Sequence, residues 1–204
     1  MATLTVQGSG TTDCYIDSNS PTVNTNNTTL AVGEQKSATI TYRTLLKFDL
    51  SSIPYGSTVN SATLTMYSDG QDLSDASRTM RVYRVLRVWD ETQATWNVYT
   101  TGNNWGTAGC ANTTTDREAS DIGSVTHAAN PSDGDPFAIT LTASSIQEMT
   151  PGGSFTNNGF LLKMDTESDD AGGFHSSSYA TSGQRPKLVV DYNPGSSRSF
   201  FSFM

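Results

Sequence analysis

Residues 62–67 read ATLTMY and alternate between apolar and polar side chains. Successive side chains of a β-strand point to opposite faces of a sheet, so this period of two predicts a strand with one buried face. Residue types favoured in strands predict further strands at 44–49, 78–88, 137–141, 159–165 and 187–192. The residues expected to be buried are Leu46, Phe48, Leu64, Met66, Leu161, Val189 and Trp96.

Turn-forming residues separate the predicted strands, as in IPYG at 53–56, NPSDG at 130–134 and PGG at 151–153. A short helix is predicted at 142–149, because Thr142 can cap its start and Pro151 ends it. Many short strands joined by turns are typical of an all-β domain, and we predict a jelly-roll-like β-sandwich with one short helix. Composition does not change before Asn193, so we expect a single domain at 1–192 and a Phe-rich tail at 193–204.

The predicted strand at 78–88 carries an arginine at every third position, which is also the spacing of a helix face. Its valines and tyrosine favour a strand, and no capping residue or glycine frames a helix. In a strand, Arg84 shares a face with Met80 and Val82. If that face is buried, Arg84 needs a carboxylate partner or a bulge that turns it outward.

Charge and hydropathy exclude several classes of protein. The chain has 204 residues, with 20 acidic and 12 basic side chains and a net charge of −8. Nucleic-acid binding is disfavoured because it requires clustered Lys and Arg, and no apolar run is long enough for membrane insertion. No signal peptide is visible at the start. Cys14 and Cys110 either pair or remain as two partly buried thiols, and the sequence leaves both open.

Several segments, taken in order, carry a family pattern. They are RTLLKFDLSSIP at 43–54, STVNSATL at 57–64, YRV at 83–85, WDETQATWN at 89–97, NGFLL at 158–162, FHSS at 174–177 and RPKLVVDY at 185–192. This order resembles the DNRLRE domain, which is named after disaggregatase-related repeats, from about residue 13 to residue 192. The resemblance implies a β-sandwich accessory module of extracellular enzymes, adhesins or other surface proteins. Some relatives bind polysaccharide, including acidic glycans.

Candidate glycan contacts are aromatic rings in polar surroundings. Trp105 lies in the loop GNNWG, and Tyr99 could join it as a platform for a sugar ring. The alternative is that Trp105 folds back and packs over an edge of the sandwich. For catalysis we predict no residues: His127 and His175 lack a recognisable nucleophile motif, so the protein is expected not to be an enzyme.

Calcium is the one cofactor that the sequence makes conceivable, as a structural ion. Ca²⁺ prefers oxygen ligands, which loop carboxylates can supply. The candidates are Asp13, Asp17, Asp165, Asp169 and Asp170, although they lack the spacing of an EF-hand and a solvated acidic loop explains them equally well.

The C-terminal tail predicts an assembly interface formed by Arg198, Phe200, Phe201 and Phe203, because exposed phenylalanines at a chain end are unusual. We therefore expect a non-enzymatic structural protein of a virion or cell surface, most concretely a decoration subunit of a phage-type capsid. Its partners would be other protein chains, in a homo-oligomer or a capsid-like lattice. The alternative is a secreted carbohydrate-binding or adhesin module whose partner is a polysaccharide.

Overall fold

The computed structural model describes residues 1–35, 38–72, 77–127, 129–168 and 170–195. The strands in these ranges are β1 (Ala2–Gln7), β2 (Thr11–Asp17), β3 (Thr29–Gln35), β4 (Ile40–Phe48), β5 (Thr58–Asp72), β6 (Arg78–Arg84), β7 (Val98–Thr100), β8 (Asn103–Asn104), β9 (Gly123–His127), β10 (Pro136–Leu141), β11 (Phe160–Met164), β12 (Asp170–His175) and β13 (Lys187–Asn193). The α-helix α1 spans Ala143–Met149, and a 3-10 turn spans Ser182–Gln184. No helix in these ranges is long and apolar enough to cross a membrane.

The main strands form one curled antiparallel sheet whose two halves pack face to face. The first half runs in the order β1, β13, β5, β10, and the second runs from β12 through β3, β4, β11 and β6 to β9. Strand β2 adds to β4. The 15-residue strand β5 joins the halves, because its first part pairs with β13 and β10 and its end pairs with β12. The predicted all-β sandwich with one short helix is confirmed.

The main core lies between the two halves. Leu46, Phe48, Leu64 and Met66 are buried there, as the alternation in the sequence predicts. The expectation for Val189 is wrong: Leu188 and Val190 face the core and Val189 is only half-buried. Leu188 lies opposite Leu64, whose side chain is fully buried, and this pairing sets the inward face of β13.

A second apolar cluster, called the loop-covered cluster below, lies on the other face of β4, β6 and β11. It contains Leu45, Tyr83 and Leu161 from these strands, and residues of the long connection 85–122 cover it. Because β11 is covered on both faces, its sequence FLLKM starts with consecutive buried apolar residues instead of alternating. Leu161 is buried as expected, whereas Trp96 is only half-buried, with the Arg43 guanidinium 5.1 Å from its ring centroid.

Strand β6 ends at Arg84, so it is four residues shorter than predicted. Arg84 is buried on the same face as Met80 and Val82, and it has carboxylate partners, as its position requires. Its Nη1 lies 2.6 Å from Glu148 of α1, and its Nε lies 2.7 Å from Glu118. The guanidinium also lies 4.0 Å from the ring centroid of Phe155. The strand prediction therefore led to the correct requirement for Arg84.

Candidate functional site

The tryptophans of the connection 85–122 pack inward. Trp105 is only 4% exposed, and its Nε1 donates a hydrogen bond to the carbonyl of Thr95 at 3.0 Å. The Nε1 of Trp89 donates to the carbonyl of Asn158 at 2.7 Å. Buried indoles with satisfied N–H groups are typical of packing residues. Trp105 therefore offers no exposed face to a sugar.

Tyr99 belongs to the same packing arrangement. Its ring is half-buried, and its centroid lies 5.5 Å from that of Trp105. The Arg87 guanidinium lies over Tyr99, 5.3 Å from the ring centroid. The expectation of a joint platform of Trp105 and Tyr99 is thus corrected: the loop folds back over the sandwich, which was the alternative.

Asp116 explains why a loop so rich in glycine and polar residues folds back. This fully buried carboxylate accepts hydrogen bonds from the backbone N–H groups of Gly106, Thr107 and Asn112 at 2.7, 3.0 and 3.1 Å. Hydrogen bonds to a charged group are stronger than neutral ones, so Asp116 can fix the loop around Trp105. The sequence alone does not identify which Asp plays this part.

A small pocket of about 170 Å³ lies across β2, β3, β4, β5 and β12, away from the loop-covered cluster. Its lining residues are Tyr15, Thr29, Leu30, Ala31, Tyr42, Asp69, Gln71, Ala171, Gly172 and Gly173. The volume is below the roughly 300–1,000 Å³ that is usual for sites of drug-sized ligands. It suits a single small unit, such as one residue of a polymer.

Two tyrosines form the aromatic part of this pocket. Tyr15 lies opposite Thr44 in the β2–β4 ladder, so Tyr42 is its diagonal neighbour on the same face. The ring centroids are 5.9 Å apart in an edge-to-face arrangement. The Tyr42 hydroxyl donates to Oε1 of Gln35 at 3.0 Å, which fixes the orientation of that ring. Both side chains remain partly exposed.

Two consecutive glycines of β12, Gly172 and Gly173, contribute to the pocket lining. A Cβ atom at Gly173 would collide with the carboxylate of Asp69, so this glycine makes room for that carboxylate against the backbone. A glycine in the interior of a strand weakens it unless something must approach the backbone closely. This pair is the signal in the sequence that could have identified the pocket. Sequence reasoning missed it, together with Tyr15, Tyr42, Asp69 and Gln71.

The pocket has an acidic character. Burial raises the pKa of Asp69, an effect opposed by a hydrogen bond that its Oδ1 accepts from the backbone N–H of Gln71 at 2.9 Å. Burial and then the charge of Asp17 raise the pKa values of both Tyr15 and Tyr42. Asp17 lies directly opposite Tyr42 in the β2–β4 ladder, which accounts for its influence.

The model of the disaggregatase related repeat domain matches residues 13–190, nearly the whole chain. The chain belongs to this family. The match starts in β2 and ends in β13, so the domain contains both halves of the sandwich, the loop-covered cluster and the pocket. Among curated proteins, none matches the chain.

The aspartates proposed for calcium do not form a cluster in the described part of this disaggregatase related repeat domain. Asp13 accepts the N–H of Ser177 at 2.7 Å, Asp17 accepts the N–H of Asn19 at 2.7 Å, and Asp165 lies 3.8 Å from Arg81. Among the residues described, no group of three or more His, Cys, Asp or Glu side chains could hold a metal ion. Asp169 lies outside the described residues, as does the side chain of Asp170.

His175 is packed inside the repeat domain. Its ring stacks on Tyr179 at 3.5 Å between centroids, and its Nε2 lies 2.8 Å from Oδ1 of Asp133.

Cys14 and Cys110 are free and buried in the loop-covered cluster, where burial raises the pKa of both thiols. The two thiols are therefore packing residues, which was one of the two alternatives left open by the sequence.

The residues of the expected assembly interface, Arg198, Phe200, Phe201 and Phe203, lie outside the described part of the chain. The described chain continues to Gly195, whose N–H donates to Oγ of Ser57 at 3.4 Å. The tail therefore starts beside the turn that precedes β5.

Proposed function

We propose that this disaggregatase related repeat domain is a non-enzymatic carbohydrate-binding module and that its sugar site is the pocket between Tyr15 and Gly173. The observation that carries the proposal is that a fixed tyrosine pair lines the same small pocket as an acidic side chain and an amide side chain. This combination supplies both kinds of contact that a sugar needs.

The tyrosine pair provides apolar contact. One face of a pyranose ring presents C–H groups, which pack favourably against an aromatic side chain. Tyr42 is held by its neighbour at 5.9 Å and by its hydrogen bond to Gln35, so little conformational entropy is lost when a ligand binds.

Asp69 and Gln71 provide the polar contact. An ionised carboxylate is an acceptor with about four lone-pair sites, and a glutamine amide supplies both donor and acceptor groups. Neighbouring sugar hydroxyls can pair with such groups. The backbone N–H of Gln71 holds Asp69 at the pocket rim, so the carboxylate is positioned before a ligand arrives.

Retention on immobilised polysaccharides and titration with soluble oligosaccharides test the proposal. Tyr42→Ala should abolish binding because it removes the ordered ring. Tyr55→Ala is the matched control, since Tyr55 is 79% exposed and does not line the pocket. Thermal melting of both variants verifies folding. Equal binding by the two folded variants would place the sugar elsewhere and overturn the proposal.

A second proposal is that the domain is a decoration subunit of a phage-type capsid or a similar assembly. It is supported by the Phe-rich sequence that follows Gly195. Deleting residues 199–204 should then abolish assembly while leaving the melting temperature unchanged. Both proposals place the protein on a virion or outside the cell. If the shortened chain assembles with unchanged affinity, the tail is not the docking element.

A further inference from the structure

We propose that the pocket selects a sugar unit with a protonated amine, a deacetylated hexosamine, over neutral sugars and over uronic acids. The inference rests on the proposed function, because it assigns the ligand class of that site.

Carboxylates surround the pocket on two sides. Asp69 lines it directly. Asp17 lies opposite Tyr42, and besides burial its negative charge raises the pKa values of both tyrosines. Asp133 adds negative charge near Asp69, and His175 is the basic group that offsets part of it. None of the residues that line the pocket is a lysine or an arginine. The local potential is therefore negative.

Arg43 follows Tyr42 on β4, so it points to the opposite face of the sheet, where it contacts Trp96 and is paired with an acid. On β4, Arg43 points its Nε and Nη2 at Glu167, with distances of 2.8 and 2.7 Å. Lys163 on β11 lies 3.7 Å from the same glutamate. A uronic acid entering the pocket would bring a further carboxylate to Asp69, and the described residues that line the pocket include no lysine or arginine to receive it. Like charges in contact oppose binding.

Burial makes Asp69 a good partner for an ammonium group. Its carboxylate has lost part of its hydration, which raises its pKa. An ammonium at hydrogen-bond distance would restore the lost stabilisation of the charged form. Charge-assisted hydrogen bonds are shorter and stronger than those between neutral groups, so an amine gains more here than the hydroxyl of a neutral hexose.

The experiment is calorimetric titration with three soluble tetrasaccharides just below neutral pH: a glucosamine tetramer, its fully N-acetylated form and an oligogalacturonate. We expect the glucosamine tetramer to bind about tenfold or more tightly than the acetylated form. The oligogalacturonate should show no binding. Added salt should weaken the binding of the glucosamine tetramer.

Two variants make the result specific to the pocket. Asp69→Asn keeps the shape but removes the charge, so it should reduce the preference for the free amine. Asp49→Asn removes one exposed charge outside the pocket and should leave the preference unchanged. Tyr42→Ala should abolish binding, which excludes general attraction of a cationic oligomer to an acidic protein.

The outcomes separate this inference from the proposed function. Tyr42-dependent binding of the acetylated tetramer with equal or higher affinity would overturn the amine selection and leave the carbohydrate site intact. Binding of the oligogalacturonate would also overturn the selection. If no saccharide binds in a Tyr42-dependent way, both the inference and the proposed function are wrong.

Discussion

Arg84 and Glu118 form a two-pronged ion pair, with Nε–Oε2 and Nη2–Oε1 distances of 2.7 and 2.8 Å. The pair connects the end of β6 to residues 85–122, which cover the loop-covered cluster. Glu148 connects the same guanidinium to α1. One buried cation thus joins three segments of the chain. Removing this side chain should therefore destabilise the whole domain.

We predict that Arg84→Ala lowers the free energy of unfolding by about 2–3 kcal/mol, because it removes the hydrogen bonds of a buried guanidinium to two carboxylates and its packing on Phe155. Arg81 on the same strand is a matched control. Its side chain is 35% exposed, so its pairs with Asp121 and Asp165 should contribute about 1 kcal/mol or less. Urea unfolding measures both, and equal losses would contradict the assigned role of Arg84.

Leu64→Ala and Leu161→Ala probe the two apolar clusters separately. Both side chains are fully buried, so each truncation should destabilise the fold by about 2–5 kcal/mol. Val189→Ala should cost less, because that side chain is half-buried. If both leucine variants lie within half a kcal/mol of the parent protein, roughly the effect of an ordinary surface substitution, the assigned strand faces are wrong.

Trp105→Ala should lower stability by about 3–5 kcal/mol, as expected for a buried indole. The same variant should retain carbohydrate binding in the cold, where it remains folded, since Trp105 does not line the pocket. Thermal melting measures the loss of stability, and oligosaccharide titration measures the affinity for the saccharide. An unchanged melting temperature together with lost binding would restore Trp105 as the sugar platform.

Asp13 should make the stability depend on pH. Burial is the main cause that raises its pKa to about 6, whereas the unfolded chain has the ordinary value of 3.8. The folded state therefore binds the proton more tightly, and its contribution to stability is complete below pH 3.8 and is lost as pH rises through about 6. The loss is up to about 3 kcal/mol by neutral pH.

Asp13→Asn should remove this dependence and be more stable than the parent protein at neutral pH, since the amide oxygen can still accept the N–H of Ser177. Asp49→Asn serves as the comparison, because Asp49 is exposed and a hydrogen bond from Ser51 lowers its pKa. Unfolding curves recorded between pH 4 and pH 7 measure how the free energy of unfolding of the parent protein and both variants depends on pH. A parent protein whose stability rises over this interval, with Asp13→Asn unchanged from it, would contradict the assignment.

The sequence predicts β4, β5, β6, β10, β11 and β13, because strand-favouring residues and alternation are local properties, but it does not identify β1, β2, β3, β9 or β12. It misjudges Val189, because only the pairing of Leu188 with Leu64 determines which face of β13 is inward. The pocket is harder to predict. Tyr15 and Tyr42 become neighbours only through the register of β2 on β4, and that register is not visible in either segment alone. Trp105 is misleading for a related reason, since its polar loop folds inward around the buried carboxylate of Asp116.

The most direct test of the carbohydrate site is an NMR titration of the isotopically labelled chain with the glucosamine tetramer. We expect the amide signals of Ala31, Gln71, Gly172 and Gly173 to shift progressively with ligand concentration, while those of the connection 85–122 stay in place. Shifts confined to that connection, or no shifts at saturating ligand, would show that the pocket is not the sugar site.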